Sequence, residues 1–239
     1  METNTSPYPL RLTGELSPKL SRGLWLVKWL LAIPHFIVLF FLWIGLVLST
    51  VVAGFAILFT GRYPRGIFDF NVGVLRWTWR VGFYSYSALG TDKYPPFSLA
   101  DDPEYPARLE VEYPERLSRG LVLVKWWLLA IPHYLIVAIF TGGAWSAWTD
   151  NGDGFLYGAA GGLIGLLVLF AGLALLFTSR YPRPLYDFVL GLNRWVFRVA
   201  AYAGLMTDTY PPFRLDSGST EPPAAPGTAA VSAPPLPTA

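Results

Sequence analysis

Residues 21–36 read S-R-G-L-W-L-V-K-W-L-L-A-I-P-H-F, and residues 118–134 read S-R-G-L-V-L-V-K-W-W-L-L-A-I-P-H-Y. Two later stretches recur in the same order. F-T-G-R-Y-P-R at 59–65 returns as F-T-S-R-Y-P-R at 177–183, and T-D-K-Y-P-P-F at 91–97 returns as T-D-T-Y-P-P-F at 207–213. A period near a hundred residues is too long for a solenoid repeat and has the length of a small domain. The sequence therefore predicts two tandem copies of one domain.

The composition is that of a membrane protein. Hydrophobic residues make up 53% of the 239 residues and charged residues only 14%, whereas charged residues make up about a quarter of an average soluble domain. The missing charges belong to three apolar segments, residues 24–60, 121–140 and 155–178. Each is long enough for the ~20 apolar residues that a membrane-spanning helix needs.

Several classes of function are excluded by what the chain lacks. The net charge of +2 argues against a nucleic-acid partner, and the absence of cysteine removes disulfides, thiolate metal ligands and cysteine nucleophiles. Only two histidines are present, and no nucleophile, base and orienting group converge in the pattern. We therefore predict no metal, no cofactor and no enzymatic activity.

The second copy indicates how the apolar segments cross the membrane. Residues 141–154 contain T-D-N-G-D-G, and the polar backbone of such a turn cannot face lipid, so we expect two spans at about 121–140 and 155–178. The first copy lacks this loop, but its 37 apolar residues also suit a hairpin, with spans at about 24–41 and 44–60 and a tight turn near residues 43–45. The alternative is one long tilted helix preceded by an interfacial segment.

The distribution of basic residues predicts the orientation. All 18 lysines and arginines lie outside the two proposed hairpin tips. Under the positive-inside rule the tips face outwards, and both termini face the cytoplasm.

An amphipathic segment follows each predicted hairpin. Asp69, Gly73, Arg76 and Arg80 fall on one narrow stripe of a helix at about 66–89. The second copy repeats the stripe in a helix at about 184–205, with Asp187, Gly191, Arg194 and Arg198. A cationic stripe bordered by aromatic residues predicts a helix that lies in the headgroup plane.

The fold class that results is an all-α membrane protein with two tandem transmembrane hairpins and short cytoplasmic strands. Residues 108–113 alternate with period two and residues 11–16 do so more weakly, and we expect these strands to pair with residues 96–99 and 212–215. The two copies would occupy residues 8–99 and 105–215. Residues 216–239 are rich in proline and alanine, which predicts a disordered tail.

The two Pro-His pairs are the sharpest candidates for a site. His35 and His133 lie roughly 10 Å along their helices from Lys28 and Lys125, and ionisable residues at such depth are rare. As a pair they could form a proton relay or bind one ion between the hairpins. The other interpretation, which we favour, is local: the preceding proline leaves a helical carbonyl unpaired, and a polar neighbour helps to satisfy it.

The arginines after each hairpin predict contacts with lipid. Arginine pairs bidentately with phosphate, so R-Y-P-R at both positions, together with the helical stripes, would bind anionic phospholipid headgroups. The candidate residues are Arg62, Arg65, Arg180, Arg183, Arg76, Arg80, Arg194 and Arg198.

The motifs I-P-H-F-I-V-L-F-F-L (33–42), A-I-L-F-T-G-R-Y-P-R-G-I-F-D-F (56–70) and T-D-K-Y-P-P-F (91–97) resemble an uncharacterised bacterial membrane family, domain of unknown function 4389. The second copy is similar through I-P-H-Y (131–134), L-F-T-S-R-Y-P-R-P-L-Y-D-F (176–188) and T-D-T-Y-P-P-F. The resemblance covers roughly residues 8–215. It implies a location in the bacterial inner membrane and carries no known activity or site residues.

Three functions remain open at this point. The first is a non-catalytic membrane module that organises anionic lipids, an unidentified membrane protein or a second copy of the chain at the cytoplasmic face. The second is a small transporter or channel that uses His35 and His133. The third, a membrane enzyme acting on lipid, is the weakest because no catalytic constellation is visible.

Overall fold

A computed structural model describes residues 8–142 and 162–218 of the chain. Within these ranges the protein is mostly helical, with one small sheet. The elements follow in the order β1 (Leu10–Gly14), a 3₁₀ turn (Leu24–Leu26), α1 (Lys28–Thr60), α2 (Arg65–Tyr84), β2 (Ala107–Val111), α3 (Arg119–Val124), a π-helical turn (Lys125–Leu129), α4 (Ile131–Thr141), α5 (Leu163–Thr178) and α6 (Arg183–Ala203).

The predicted hairpin in the first apolar segment is wrong, because α1 is one helix of 33 residues preceded by a 3₁₀ turn. A single long helix was part of the alternative arrangement, whose tilt and interfacial segment stay predictions. A lone Gly45 costs a helix only about 1 kcal/mol, whereas a turn in lipid leaves several backbone groups unpaired. The helix ends instead at Gly61, whose left-handed backbone (φ 70°) lets its N–H donate to the Ile57 carbonyl at 2.7 Å.

Among the described residues, α1 is the only single helix long and apolar enough to cross a membrane. Only 17% of the most apolar stretch of this helix is buried within the protein. The α3–α4 segment qualifies only if its two pieces, bent by 45°, count as one span, and α5 is shorter. The four predicted spans are therefore not found.

The bend in the second half contains one extra residue. K-W-W-L-L stands where the first half has K-W-L-L, and the wider π-helical turn at Lys125–Leu129 takes up that residue, with the Ala130 N–H donating to the Lys125 carbonyl five residues back at 3.0 Å.

A larger insertion separates α4 from α5. Pro132 and Thr178 are 46 residues apart, whereas the matching Pro34 and Thr60 are 26 apart. The chain returns close to where it left, since a Cβ on Gly162 would lie 2.4 Å from the Gly142 nitrogen. Most of the predicted loop 141–154, the start of the predicted span 155–178 and the tail from residue 219 lie outside the described residues.

The two predicted amphipathic helices exist as α2 and α6, but they pack lengthwise inside the protein. Helix α2 runs antiparallel to α1: Asn71 Oδ1 accepts from Ser49 Oγ at 2.7 Å, and Trp77 lies beside His35. The predicted position in the headgroup plane required an exposed arginine stripe, whereas Arg80, Arg194 and Arg198 are buried. The polar face is covered by other parts of the chain.

The two predicted strands are confirmed as β1 and β2, which pair antiparallel with Leu12 opposite Leu109. These two leucines hold equivalent places in the two halves of the sequence. The predicted pairing with residues 96–99 and 212–215 is wrong, since the sheet has only two strands in the described ranges.

Contacts between the halves are reciprocal. Arg76 Nε donates to the Leu109 carbonyl at 3.1 Å, and its equivalent Arg194 donates to the Leu12 carbonyl at 2.9 Å. The tyrosines of the two R-Y-P-R motifs also donate hydrogen bonds to the opposite half. Tyr63 Oη donates to the Gly204 carbonyl at 3.2 Å, and Tyr181 Oη donates to the Ala88 carbonyl at 2.9 Å. The rings of Trp79 and Phe197, 5.6 Å apart, join α2 to α6 in the common core.

Candidate functional site: two lysine–histidine clusters

The motifs that recur in the sequence converge in the structure. At the start of α1 the Lys28 ammonium is buried, and it donates to the Thr91 carbonyl at 2.6 Å and to Asp92 Oδ1 at 2.8 Å. The other oxygen of Asp92 accepts the backbone N–H of Ser21 at 2.6 Å. Thr91 and Asp92 thus bind both the lysine and the S-R-G segment that precedes α1.

The second half builds the same arrangement around Lys125. Its ammonium donates to the Thr207 carbonyl at 2.9 Å and to Asp208 Oδ1 at 2.8 Å, and Asp208 Oδ2 accepts from the Ser118 N–H at 2.6 Å. The lysine side chain is fully buried, whereas that of Asp208 is 26% exposed. A buried ammonium requires such a partner, because an unpaired charge in a low-dielectric interior is costly.

Each histidine sits in an aromatic enclosure about two helical turns further along. His35 Nδ1 accepts the indole N–H of Trp77 at 3.1 Å, and its ring stacks on Phe97 with centroids 3.9 Å apart. Tyr94 completes the enclosure at 4.8 Å. Tyr94 and Phe97 both come from Y-P-P-F, which explains why that motif and I-P-H recur together.

His133 has the equivalent surroundings. Trp195 donates its indole N–H to His133 Nδ1 at 3.1 Å, Phe213 stacks on the ring at 4.4 Å, and Tyr210 lies at 4.8 Å. Because Nδ1 is an acceptor in both rings, each imidazole is neutral with its proton on Nε2. Both Nε2 atoms are buried, and that of His35 has no hydrogen-bond partner among the described residues.

The structure does not bring the two histidines together, since every partner of each comes from its own half. A tyrosine donates a hydrogen bond to the helix backbone one turn before each proline. Tyr94 Oη donates to the Leu31 carbonyl at 3.0 Å, and Tyr210 Oη donates to the Leu129 carbonyl at 3.2 Å. The carbonyl that a proline deprives of its helical N–H lies four residues earlier, at Leu30 or Leu128, so the local role expected for the histidines stays a prediction.

The candidate arginines fall into two groups. The stripe arginines point inwards: Arg80 donates to the Ser98 and Ala100 carbonyls, Arg194 donates to the Asp216 carbonyl at 2.6 Å, and Arg198 pairs with the Asp216 carboxylate at 2.6 Å. Asp216, assigned from the sequence to the disordered tail, is therefore part of the folded core.

The R-Y-P-R arginines, in contrast, are exposed, and they are Arg62, Arg65, Arg180 and Arg183. The guanidinium of Arg65 lies 4.1 Å from the ring centroid of Tyr113. Arg65, Asp69 and the half-buried Arg76 line a shallow polar groove of about 490 Å³. Contact with lipid headgroups remains a prediction, and these exposed residues are the ones placed to make it.

The lysine–aspartate pairs were not predicted as a site. The signal was present in the sequence, because a lysine recurs inside each apolar segment and an aspartate recurs in each T-D-x-Y-P-P-F. A charge inside an apolar helix needs a partner of opposite sign. The recurring aspartate was the natural candidate.

Comparison with known proteins places the chain in a family. Residues 22–98 and 154–214 match the family model described as Domain of unknown function (DUF4389). The chain belongs to this family. No curated protein matches the chain, and no solved structure does. In this DUF4389 protein the matched segments include Lys28, His35, Asp92 and Asp208, whereas Lys125 and His133 precede the second segment and still make the equivalent contacts.

Proposed function

We propose that the protein is a non-catalytic module of the bacterial inner membrane, built from two tandem copies of one domain, that organises anionic phospholipids or a protein partner at the cytoplasmic face. The outward surface of α1 carries the proposal. Large apolar side chains such as Phe40, Phe41, Leu48 and Phe59 are 63–73% exposed along this helix. A continuous apolar surface of this size marks contact with lipid or with another protein.

The ends of α1 support a cytoplasmic orientation. Arg22 precedes the helix and Arg62 follows it, and both are exposed. The helix is ~50 Å long at 1.5 Å per residue, well beyond the ~30 Å hydrocarbon core. If α1 is immersed obliquely along its outer face, basic residues at both ends stay on the cytoplasmic side, as the positive-inside rule favours. A single transmembrane crossing by α1 would instead carry one end across the membrane.

The interior of the protein supports a role without catalysis or transport. Among the described residues, the buried charged groups Lys28, Lys125, Arg80 and Arg198 bind backbone carbonyls or aspartates of the same chain. The two histidines share no partner. The exposed R-Y-P-R arginines are then the groups available to an anionic ligand.

The test is purification of the tagged full chain in lipid-preserving particles, with mass spectrometry of the lipids and proteins retained. We expect anionic phospholipid to be enriched over the surrounding membrane, and the enrichment to fall in Arg62→Gln/Arg180→Gln. The matched control is Arg11→Gln/Arg108→Gln, an equivalent pair on the sheet. A lipid composition equal to that of the membrane, with no stoichiometric protein partner, would contradict the proposal.

A further inference from the structure

One face of α1 forms the floor of a long apolar groove. The groove has a volume of about 530 Å³, within the usual range of ligand pockets, about 300–1,000 Å³. Its floor runs from Trp43 to Leu58, which is ~22 Å of helix at 1.5 Å per residue. The walls come from α3, which contributes Val122, and from the end of α6 with the residues that follow it, which include Met206. An acyl chain covers a comparable length, since one leaflet contributes ~15 Å of the ~30 Å hydrocarbon core.

The two halves differ at one residue that lines the groove. In the second half, Gly172 of α5 is covered by Trp25, whose ring atoms would lie 3.0 Å from a Cβ on that glycine. The equivalent glycine of α1 is Gly54, and the residue equivalent to Trp25 is Val122, 3.8 Å from the corresponding Cβ position. Leu205 Cδ1 lies nearer, 3.3 Å from that Cβ position, and the valine fills less of the remaining space than the tryptophan does in the other half.

One end of the groove is basic. Leu58 is followed within one turn by Gly61 and Arg62, and a Cβ on Gly61 would lie 3.7 Å from Arg119 Nε. Arg119 lies one turn before the groove residues Val122 and Leu123 on α3. Both arginines are exposed, so two basic residues lie near this end of the apolar groove.

We infer that this groove binds one acyl chain of an anionic phospholipid, with the lipid phosphate held by Arg62 and Arg119. The apolar floor matches the chain, and the guanidinium groups match the phosphate, which accepts bidentate hydrogen bonds from arginine. This inference rests on the proposed function, because it requires that the outer face of α1 lie in the bilayer. It adds a defined site to the general affinity for anionic lipid.

The experiment is native mass spectrometry of the full chain in detergent, titrated with phosphatidylglycerol and with phosphatidylcholine of identical chains. We expect one phosphatidylglycerol per wild-type chain. Val122→Trp should weaken this binding about tenfold or more, because it fills the groove as Trp25 does in the other half. Leu48→Trp is the control, since it adds the same ring to α1 at an exposed position outside the groove.

The basic mouth is tested separately, which also covers the case that Val122→Trp does not fold. Arg62→Gln/Arg119→Gln should remove the preference for phosphatidylglycerol over phosphatidylcholine. The equivalent pair Arg22→Gln/Arg180→Gln, in the half where the groove is filled, should keep it.

Three outcomes overturn the inference. They are equal binding by wild type and Val122→Trp, an unchanged headgroup preference in Arg62→Gln/Arg119→Gln, and a wild-type dimer that Val122→Trp converts to a monomer, which would make a second copy the occupant. The failure of the proposed function looks different. If the proposed function fails, the native particles show no enrichment of anionic lipid for the wild type or any variant. If only the groove inference fails, the native particles of the wild type are still enriched in anionic lipid.

Discussion

Removing the aspartate of the Lys125–Asp208 pair should destabilise the protein more than removing the lysine. The Lys125 side chain is fully buried and that of Asp208 is 26% exposed. Asp208→Asn leaves the ammonium in the interior with neutral partners such as the Thr207 carbonyl and the Tyr202 ring but no opposite charge, and breaking a buried pair in this way costs about 3 kcal/mol or more. Lys125→Met leaves a carboxylate that water reaches and that still accepts the Ser118 N–H, so we expect about 1–2 kcal/mol.

The free energy of unfolding can be measured by titration with denaturing detergent in mixed micelles, followed by far-ultraviolet circular dichroism. The double variant Lys125→Met/Asp208→Asn should be close to Lys125→Met, because no buried charge is left. The pair Lys28 and Asp92, with side-chain exposures of 2% and 25%, offers an independent repetition and should give the same order. If the lysine variants proved more destabilising than the aspartate variants in both halves, this reasoning would be refuted.

Three further predictions follow from other contacts. A double-mutant cycle of His35→Leu with Trp77→Phe should give a coupling of about 1 kcal/mol, the value of one hydrogen bond, and a coupling near zero would show that the 3.1 Å contact does not form. Burial raises the pKa of Tyr63, so this tyrosine ionises in the unfolded chain before it ionises in the folded protein, and the free energy of unfolding falls as the pH rises past about 10. Tyr63→Phe should show a smaller fall in the free energy of unfolding between pH 9 and 11. A fall equal to that of the wild type would contradict this. Because the chain has no cysteine, single-cysteine labelling can test topology. Ile44→Cys, in the middle of α1, should not be labelled by water-soluble maleimide added on either side of the membrane. The multi-pass arrangement of two hairpins predicts instead that Ile44→Cys and Asn151→Cys are both labelled from outside the cell.

The sequence predicted the local elements well where their signals were local. Period-two alternation marked β1 and β2, and amphipathic spacing marked α2 and α6. The hairpin within residues 24–60 failed because the middle of that segment holds no polar turn residues, and the turn was inferred only by analogy with the loop of the second half. The length of an apolar segment indicates that it is helical, but it does not determine how many times the segment crosses a membrane.

The burial of the arginine stripes could not be predicted from periodicity. A helical stripe shows that a face is polar, but not whether water, lipid headgroups or protein cover it. The covering groups here are carbonyls of residues 98–100 and of Leu12, Leu109 and Asp216. Irregular backbone supplies several of them, and irregular backbone has no periodic signature.

The tyrosines and arginines that donate to the opposite half also follow a twofold arrangement. Tyr63 and Arg76 find their acceptors in the second half, and Tyr181 and Arg194 find theirs in the first. A polypeptide with only one such half would leave these donors and one strand edge without partners. It would have to associate with an identical chain about a twofold axis between the two Leu12-type residues. The two halves of the present protein contact each other in the way that the subunits of such a homodimer would, although only the second half has the insertion between α4 and α5.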